Sequence, residues 1–116
     1  RGFHKQLHEA SESKIITCLS GKAFHVLMKI KNKKIQVATN HLSFLNKNAS
    51  FVPRDCYSAF LTLEDHTNLI YLTDNDYDPK LSGGIKWNDP LLSGLQWPLI
   101  PEIISDQDNN FPLLKL

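Results

Sequence analysis

One of the five histidines of this 116-residue chain lies in the run Arg1-Gly2-Phe3-His4-Lys5-Gln6. An imidazole changes charge near neutrality, so between an arginine and a lysine it has the make-up of a base working close to a phosphate. A surface or packing histidine fits the same six residues. His4 and His8 are four apart with Glu9 adjoining, the spacing at which a helix aims two imidazoles at one ion. Gly2 and the lack of apolar periodicity argue against a helix there, and no metal is expected. Tyr71 lies in Leu69-Ile70-Tyr71-Leu72-Thr73, where extended backbone would turn it away from Ile70 and Leu72. That suits a core or rim tyrosine. Asp106 and Asp108, in Ser105-Asp-Gln-Asp-Asn-Asn110, read as a turn or a helix cap. None of these spacings is that of a P-loop, a dinucleotide fingerprint or a nucleophile elbow.

The elements that must position these groups are short. Lys14–Leu19 is apolar and β-branched and ends at Ser20-Gly21. In Lys22–Ile30 the even positions Phe24, Val26, Met28 and Ile30 form one apolar face, and Ala23, His25, Leu27 and Lys29 form the other. That alternation predicts a strand, and Ser-Gly between the two runs predicts a hairpin turn. Further strands are expected at 33–38, 51–52, 58–63 and 69–73, with one helical turn within 41–46. The lysine-rich Lys29–Lys34 reads as a solvated turn. From Asp74 onward Gly, Pro, Asn and Asp predict a loop-rich tail. Many short strands at regular spacing imply an antiparallel sandwich or barrel, all-β, in a single domain spanning 1–116.

Composition narrows the function. The chain is 41% hydrophobic and 22% charged, with a net charge of +1. That balance argues against nucleic-acid and membrane partners, whose signature is a strong basic field. No apolar stretch has the length of a membrane span, and the first ten residues are not a signal peptide. They open without methionine in a charged stretch, as a sequence begun partway through a longer protein would. Cys18 and Cys56 have no CxxC spacing and are expected as free thiols in a reducing, cytoplasmic compartment.

An ordered set of motifs adds identity where spacing does not. It runs RGFH, Lys14 opening a strand, Ser20-Gly21, Tyr71-Leu-Thr-Asp-Asn-Asp-Tyr77-Asp-Pro79, Gly84-Ile-Lys-Trp-Asn-Asp-Pro90, Trp97-Pro98 and Ser105-Asp-Gln-Asp108. In that order the set resembles the dTDP-4-dehydrorhamnose 3,5-epimerase family over nearly the whole chain. The resemblance implies a cupin-like jelly-roll barrel. It makes the segment carrying Trp87 and Trp97 a C-terminal excursion that wraps the barrel, anchored by its indoles.

The resemblance also implies a chemistry. A proton next to the ketone of a nucleotide-linked 4-keto-6-deoxy sugar is removed and returned to the opposite face, in deoxysugar and polysaccharide biosynthesis. His4 matches the base and Asp108 the carboxylate that orients it. Tyr71 matches the proton donor on the opposite face, and Lys14 the cation near the enolate oxygen. Arg1 matches a diphosphate contact and Tyr77 an aromatic near the nucleotide base. Gln6 joins the substrate-binding set. No cofactor is implied, and a homodimer is. The chain departs from the pattern in several places. It lacks the family's segment before RG-x-H, Ser58 stands where a pocket histidine is expected, and His25 replaces an acidic residue. Gln107 also stands where a basic residue is common. These departures leave open a one-carbon epimerase, a ketoisomerase, or a catalytically silent sugar-nucleotide-binding cupin.

Overall fold

Two antiparallel sheets face one another in the computed structural model, which describes residues 1–116. The strands are β1 (Phe3–Gln6), β2 (Lys14–Ser20), β3 (Lys22–Lys31), β4 (Lys34–Ser43), β5 (Ala49–Val52), β6 (Tyr57–Thr62), β7 (Asn68–Thr73) and β8 (Ser82–Ile85). The large sheet has the order β4-β3-β6-β1-β8 and the small one β5-β2-β7. The only α-helix, α1, is the single turn Asp106–Asn109.

Alternation on β3 sorts its side chains between two cores. Phe24, Val26 and Met28 join Phe3, Ala59, Ile85 and Leu92 in one buried cluster. Leu27, from the other face, packs on a second cluster of Ile16, Cys18, Leu42 and Val52, which draws on both sheets and therefore lies between them. The first cluster is on the outer face of the large sheet, where Leu95, Trp97 and Leu114 of the C-terminal excursion cover it. Each large side chain buried in this way contributes roughly 1.5–3 kcal/mol.

The sheet connections correct part of the sequence reading. β3 and β4 form the hairpin, in register from Lys22↔Ser43 to Lys31↔Lys34. Asn32 and Lys33 take φ of 53° and 61° at its tip, the twist a tight two-residue turn needs. So the lysine-rich run is a turn, as expected. Ser20-Gly21 does not close a hairpin: β2 and β3 belong to different sheets, and the dipeptide carries the chain from one to the other. Gly21 has φ +76°, and a Cβ there would lie 2.2 Å from Thr67 Oγ1. A corner and a hairpin demand the same residue types, so local sequence does not separate them.

Two further boundaries differ. The helical turn expected at 41–46 is strand up to Ser43, because Leu42 is fully buried opposite Ala23. The tail also contains β8, whose Ser-Gly-Gly-Ile composition argues against a strand but which pairs with β1 from Phe3↔Ile85 to Gln6↔Ser82. His4 is on β1, while His8 is exposed on a 3-10 turn at φ 52°. No helix presents the two imidazoles together.

Candidate active site

β1 divides its side chains between the outer core and the space between the sheets. Phe3 points out to the tryptophan-covered cluster, so His4 and Gln6 point in, between the sheets. A cavity of about 290 Å³ opens there. Its walls are His4 and Gln6 on β1, Ser58 and Phe60 on β6, and Lys14, Ile16, Tyr71 and Thr73 on the small sheet, with Arg1, Glu12 and Tyr77 at the rim. Register explains the small-sheet wall: Lys14 is opposite Thr73 and Ile16 opposite Tyr71 on neighbouring strands. Four side chains therefore share one face.

Seven of the eight residues singled out from the sequence line this cavity: Arg1, His4, Gln6, Lys14, Ser58, Tyr71 and Tyr77. The eighth, Asp108, is behind His4 in the adjoining cleft. Asp108 Oδ1 is 2.8 Å from His4 Nε2, and Asp108 Oδ2 accepts the Gly2 backbone N–H at 2.8 Å. Helix α1 delivers this carboxylate: the Ser105 hydroxyl accepts the Asp108 N–H at 3.1 Å. The cap of that turn is therefore Ser105 rather than Asp106 or Asp108, and the Asp108 side chain reaches His4 instead.

Partners fix the His4 tautomer. A guanidinium donates and never accepts, and Arg1 Nη2 is 3.5 Å from His4 Nδ1. A carboxylate only accepts, and Asp108 faces Nε2. Nε2 therefore carries the proton and Nδ1 presents a lone pair. Burial and the Arg1 charge together hold the His4 pKa below its ordinary 6.5, against the pull of Asp108. Burial pushes Asp108 upward, but the Gly2 N–H and the His4 interactions outweigh it, and its pKa ends below 3.8. At neutral pH the pair is a neutral imidazole on a carboxylate.

The opposite wall is cationic and aromatic. Lys14 Nζ is 3.6 Å from Glu12 and 5.7 Å from the centroid of the Tyr71 ring. Burial lowers the Lys14 pKa, with Glu12 opposing. Tyr71 is 47% exposed, so the cavity opens to solvent on its side. Gln6 Oε1 accepts the Asp78 N–H at 3.0 Å and ties the Tyr77 loop to β1.

Three contributors escaped the sequence reading. Glu12 was legible in principle, because positions 12 and 14 share a side in extended chain. Phe111 packs edge-on against the His4 ring, centroids 4.9 Å apart, and fits only because position 84 is glycine: a Cβ there would lie 2.3 Å from the Phe111 ring. No local signal marks that contact. The third is the bond between His25 Nε2 and Ser58 Oγ, 2.8 Å long and buried.

The tryptophans act from outside. Trp97 stacks edge-on against Phe3, Phe24 and Trp87, with centroids at 6.2, 5.8 and 6.1 Å. Asp89 binds the Leu91 and Leu114 backbone N–H groups, and the Lys86 N–H reaches the Pro112 carbonyl at 3.1 Å. These ties hold the excursion on the large sheet and Asp108 against β1.

Known proteins match this arrangement. The sequence model of dTDP-4-dehydrorhamnose 3,5-epimerase fits residues 1–115. The dTDP-4-dehydrorhamnose 3,5-epimerase of Shigella flexneri is 31% identical over 114 residues, covering 95% of this chain and 62% of its own length. The crystal structure of the Bacillus anthracis enzyme, with TDP and PPi bound, superposes with a TM-score of 0.92 at 31% identity, covering 98% of this chain and 66% of that one. The Legionella pneumophila enzyme, in complex with dTDP-4-keto-L-rhamnose, superposes with a TM-score of 0.89 at 26% identity, over 97% of this chain and 61% of that one. The chain thus spans about two thirds or less of the length of these relatives. Its sheets are those of the cupin-like jelly roll, and it belongs to the dTDP-4-dehydrorhamnose 3,5-epimerase family.

Proposed function

We propose that this chain carries the catalytic core of an epimerase acting on a nucleotide-activated 4-keto-6-deoxy sugar. The observation that carries this reading is the His4 tautomer. Asp108 holds the Nε2 proton, and the Nδ1 lone pair, flanked by Arg1, belongs to an imidazole kept neutral. Substrate diphosphate draws the Arg1 guanidinium through charge-assisted hydrogen bonds and frees Nδ1. Nδ1 then takes the proton from the carbon beside the ketone, and Asp108 stabilises the imidazolium that forms. The C–H electron pair moves into the carbonyl, and the Lys14 ammonium meets the charge on the enolate oxygen. The Tyr71 hydroxyl, on the other sheet, gives its proton to the opposite face of that carbon. Proton exchange with water restores Tyr71 and His4. No external oxidant or cofactor enters this balance.

The thymidine diphosphates in the Bacillus anthracis and Legionella structures support a dTDP-linked substrate, with Tyr77 beside the base and Gln6 and Ser58 on the sugar. The reaction serves deoxysugar and polysaccharide biosynthesis in the cytoplasm, where unpaired Cys18 and Cys56 stay reduced. The partner is a second copy. Supporting this, Ile15, Phe51 and Leu72 are exposed and paired side by side on the outer face of the small sheet, an apolar row that association would cover.

Solvent deuterium incorporation into dTDP-4-keto-6-deoxyglucose, read by mass and proton NMR, tests the chemistry. Label beside the ketone that is lost in His4→Ala establishes abstraction by His4, and the number of deuterons separates one-carbon from two-carbon epimerisation. A folded protein that binds the nucleotide sugar without exchange is the silent binder instead.

A further inference from the structure

His25 is a polar side chain on the inner face of β3 that the proposed reaction leaves unused. It is 1% exposed, its Nε2 is 2.8 Å from Ser58 Oγ, and its Nδ1 has no partner. Two tautomers are open to a neutral imidazole. With the proton on Nδ1, a buried N–H donor is orphaned. With the proton on Nε2, only a lone pair goes unpaired and the ring donates to Ser58. Orphaned buried N–H groups are the rarer and costlier defect, so Nε2 carries the proton. Protonation at both nitrogens is opposed by burial and by the nearby Lys14 charge, which push the pKa down to about 4.

That assignment sets the direction of the Ser58 hydroxyl. Oγ accepts from His25, so its own O–H is free, and the structure gives it no other protein acceptor. Ser58 lines the cavity in register with His4 on the neighbouring strand. Lys14, whose charge acts on His25, is on the facing wall. A donor and a cation therefore converge on the space beside the base. We propose that His25 and Ser58 form a donor relay: His25 polarises and aims the Ser58 hydroxyl, which with Lys14 binds the substrate oxygen that gains negative charge as His4 removes its proton. The relay rests on the epimerase reading. Ser58 is the group that touches substrate, and His25 is a positioning residue.

A donor aimed at developing charge acts on kcat more than on KM. In the dTDP-4-keto-6-deoxyglucose exchange assay, Ser58→Ala lowers kcat by about 10²-fold with little change in KM, and its thermal midpoint falls because the buried His25 Nε2–H loses its acceptor. His25→Phe gives a similar loss, and the double variant is no worse than either single one, because the two act as a unit. His25→Gln, whose amide still donates, recovers much of the rate. Nitrogen-detected NMR of the wild-type chain finds the proton of His25 on Nε2. Unchanged kcat in Ser58→Ala, additive losses in the double variant, or a proton on Nδ1 overturns the relay while the epimerase stands. Absence of His4-dependent exchange in the folded wild-type chain overturns both.

Discussion

Acid destabilises this fold through His25, by an amount its environment sets. The group has a pKa of about 4 in the native state against 6.5 ordinarily, from burial first and Lys14 second. Between those values the unfolded chain binds a proton that the folded chain refuses, so stability is present above pH 6.5, falls as pH drops toward 4, and is fully lost below it. From 6.5 down to about 4, at about 1.4 kcal/mol per pH unit, the loss comes to roughly 3–4 kcal/mol. Set against the 5–15 kcal/mol typical of a domain, that is a large share. The assay is urea denaturation at pH steps from 7.5 to 4, for wild type and His25→Gln. Glutamine is neutral throughout and keeps a donor toward Ser58, so its own cost does not vary with pH. His4, also shifted downward, titrates in both proteins and cancels in their difference. Wild type should lose about 3 kcal/mol relative to the variant over this range, at a slope approaching 1.4 kcal/mol per pH unit. Parallel curves would refute the reasoning, since His25 would then have the same proton affinity folded and unfolded.

Other perturbations probe the supports of the site. Gly84→Ala sets a methyl against the Phe111 ring; overpacking of this kind costs about 1–3 kcal/mol, and the lowered thermal midpoint should come with a lowered exchange rate, because Phe111 braces His4. Asp108→Asn removes a charge that raises the His4 pKa, so the acid limb of kcat/KM, already below 6.5, moves further down while the plateau falls by at least about 10²-fold. An upward move of that limb contradicts the dyad. Trp97→Ala takes a half-buried indole from three aromatic contacts and should cost about 3 kcal/mol by calorimetry, the low end for such a truncation.

What the sequence revealed follows the range of each signal. Alternation on 22–30 depends on one strand meeting one core per face, so Phe24, Val26 and Met28 were legible as a set. Ser20-Gly21 and 41–46 were not, because sheet membership and the Leu42 contact are decided by partners far along the chain. β8 was hidden for the same reason. Its glycines are unfavourable for a strand in isolation, and Gly84 is required here by Phe111, which comes from a distant part of the tail. The cavity residues came from an ordered motif set rather than from spacing. His4 and Asp108 are 104 positions apart, and no periodicity links them.

That separation explains why the largest apolar side chains occupy a turn-rich segment. A carboxylate that must reach a strand at the other end of the chain needs an irregular path across the outside of the large sheet. Irregular backbone supplies few ladder bonds, so its docking energy has to come from side chains, and aromatic rings provide the most buried area per residue. Trp97 meets Phe3, the residue next to His4, while Gly2, on the other side of Phe3, donates to Asp108. One short stretch, Gly2-Phe3-His4, therefore receives the excursion twice, through an apolar contact on its outer face and through the carboxylate at its inner one. Loosening the indole loosens the dyad. The two effects of Trp97→Ala, on the thermal midpoint and on the acid limb of activity, should appear together. A variant that loses stability while keeping the wild-type pH profile would break this link and leave Asp108 held by α1 alone.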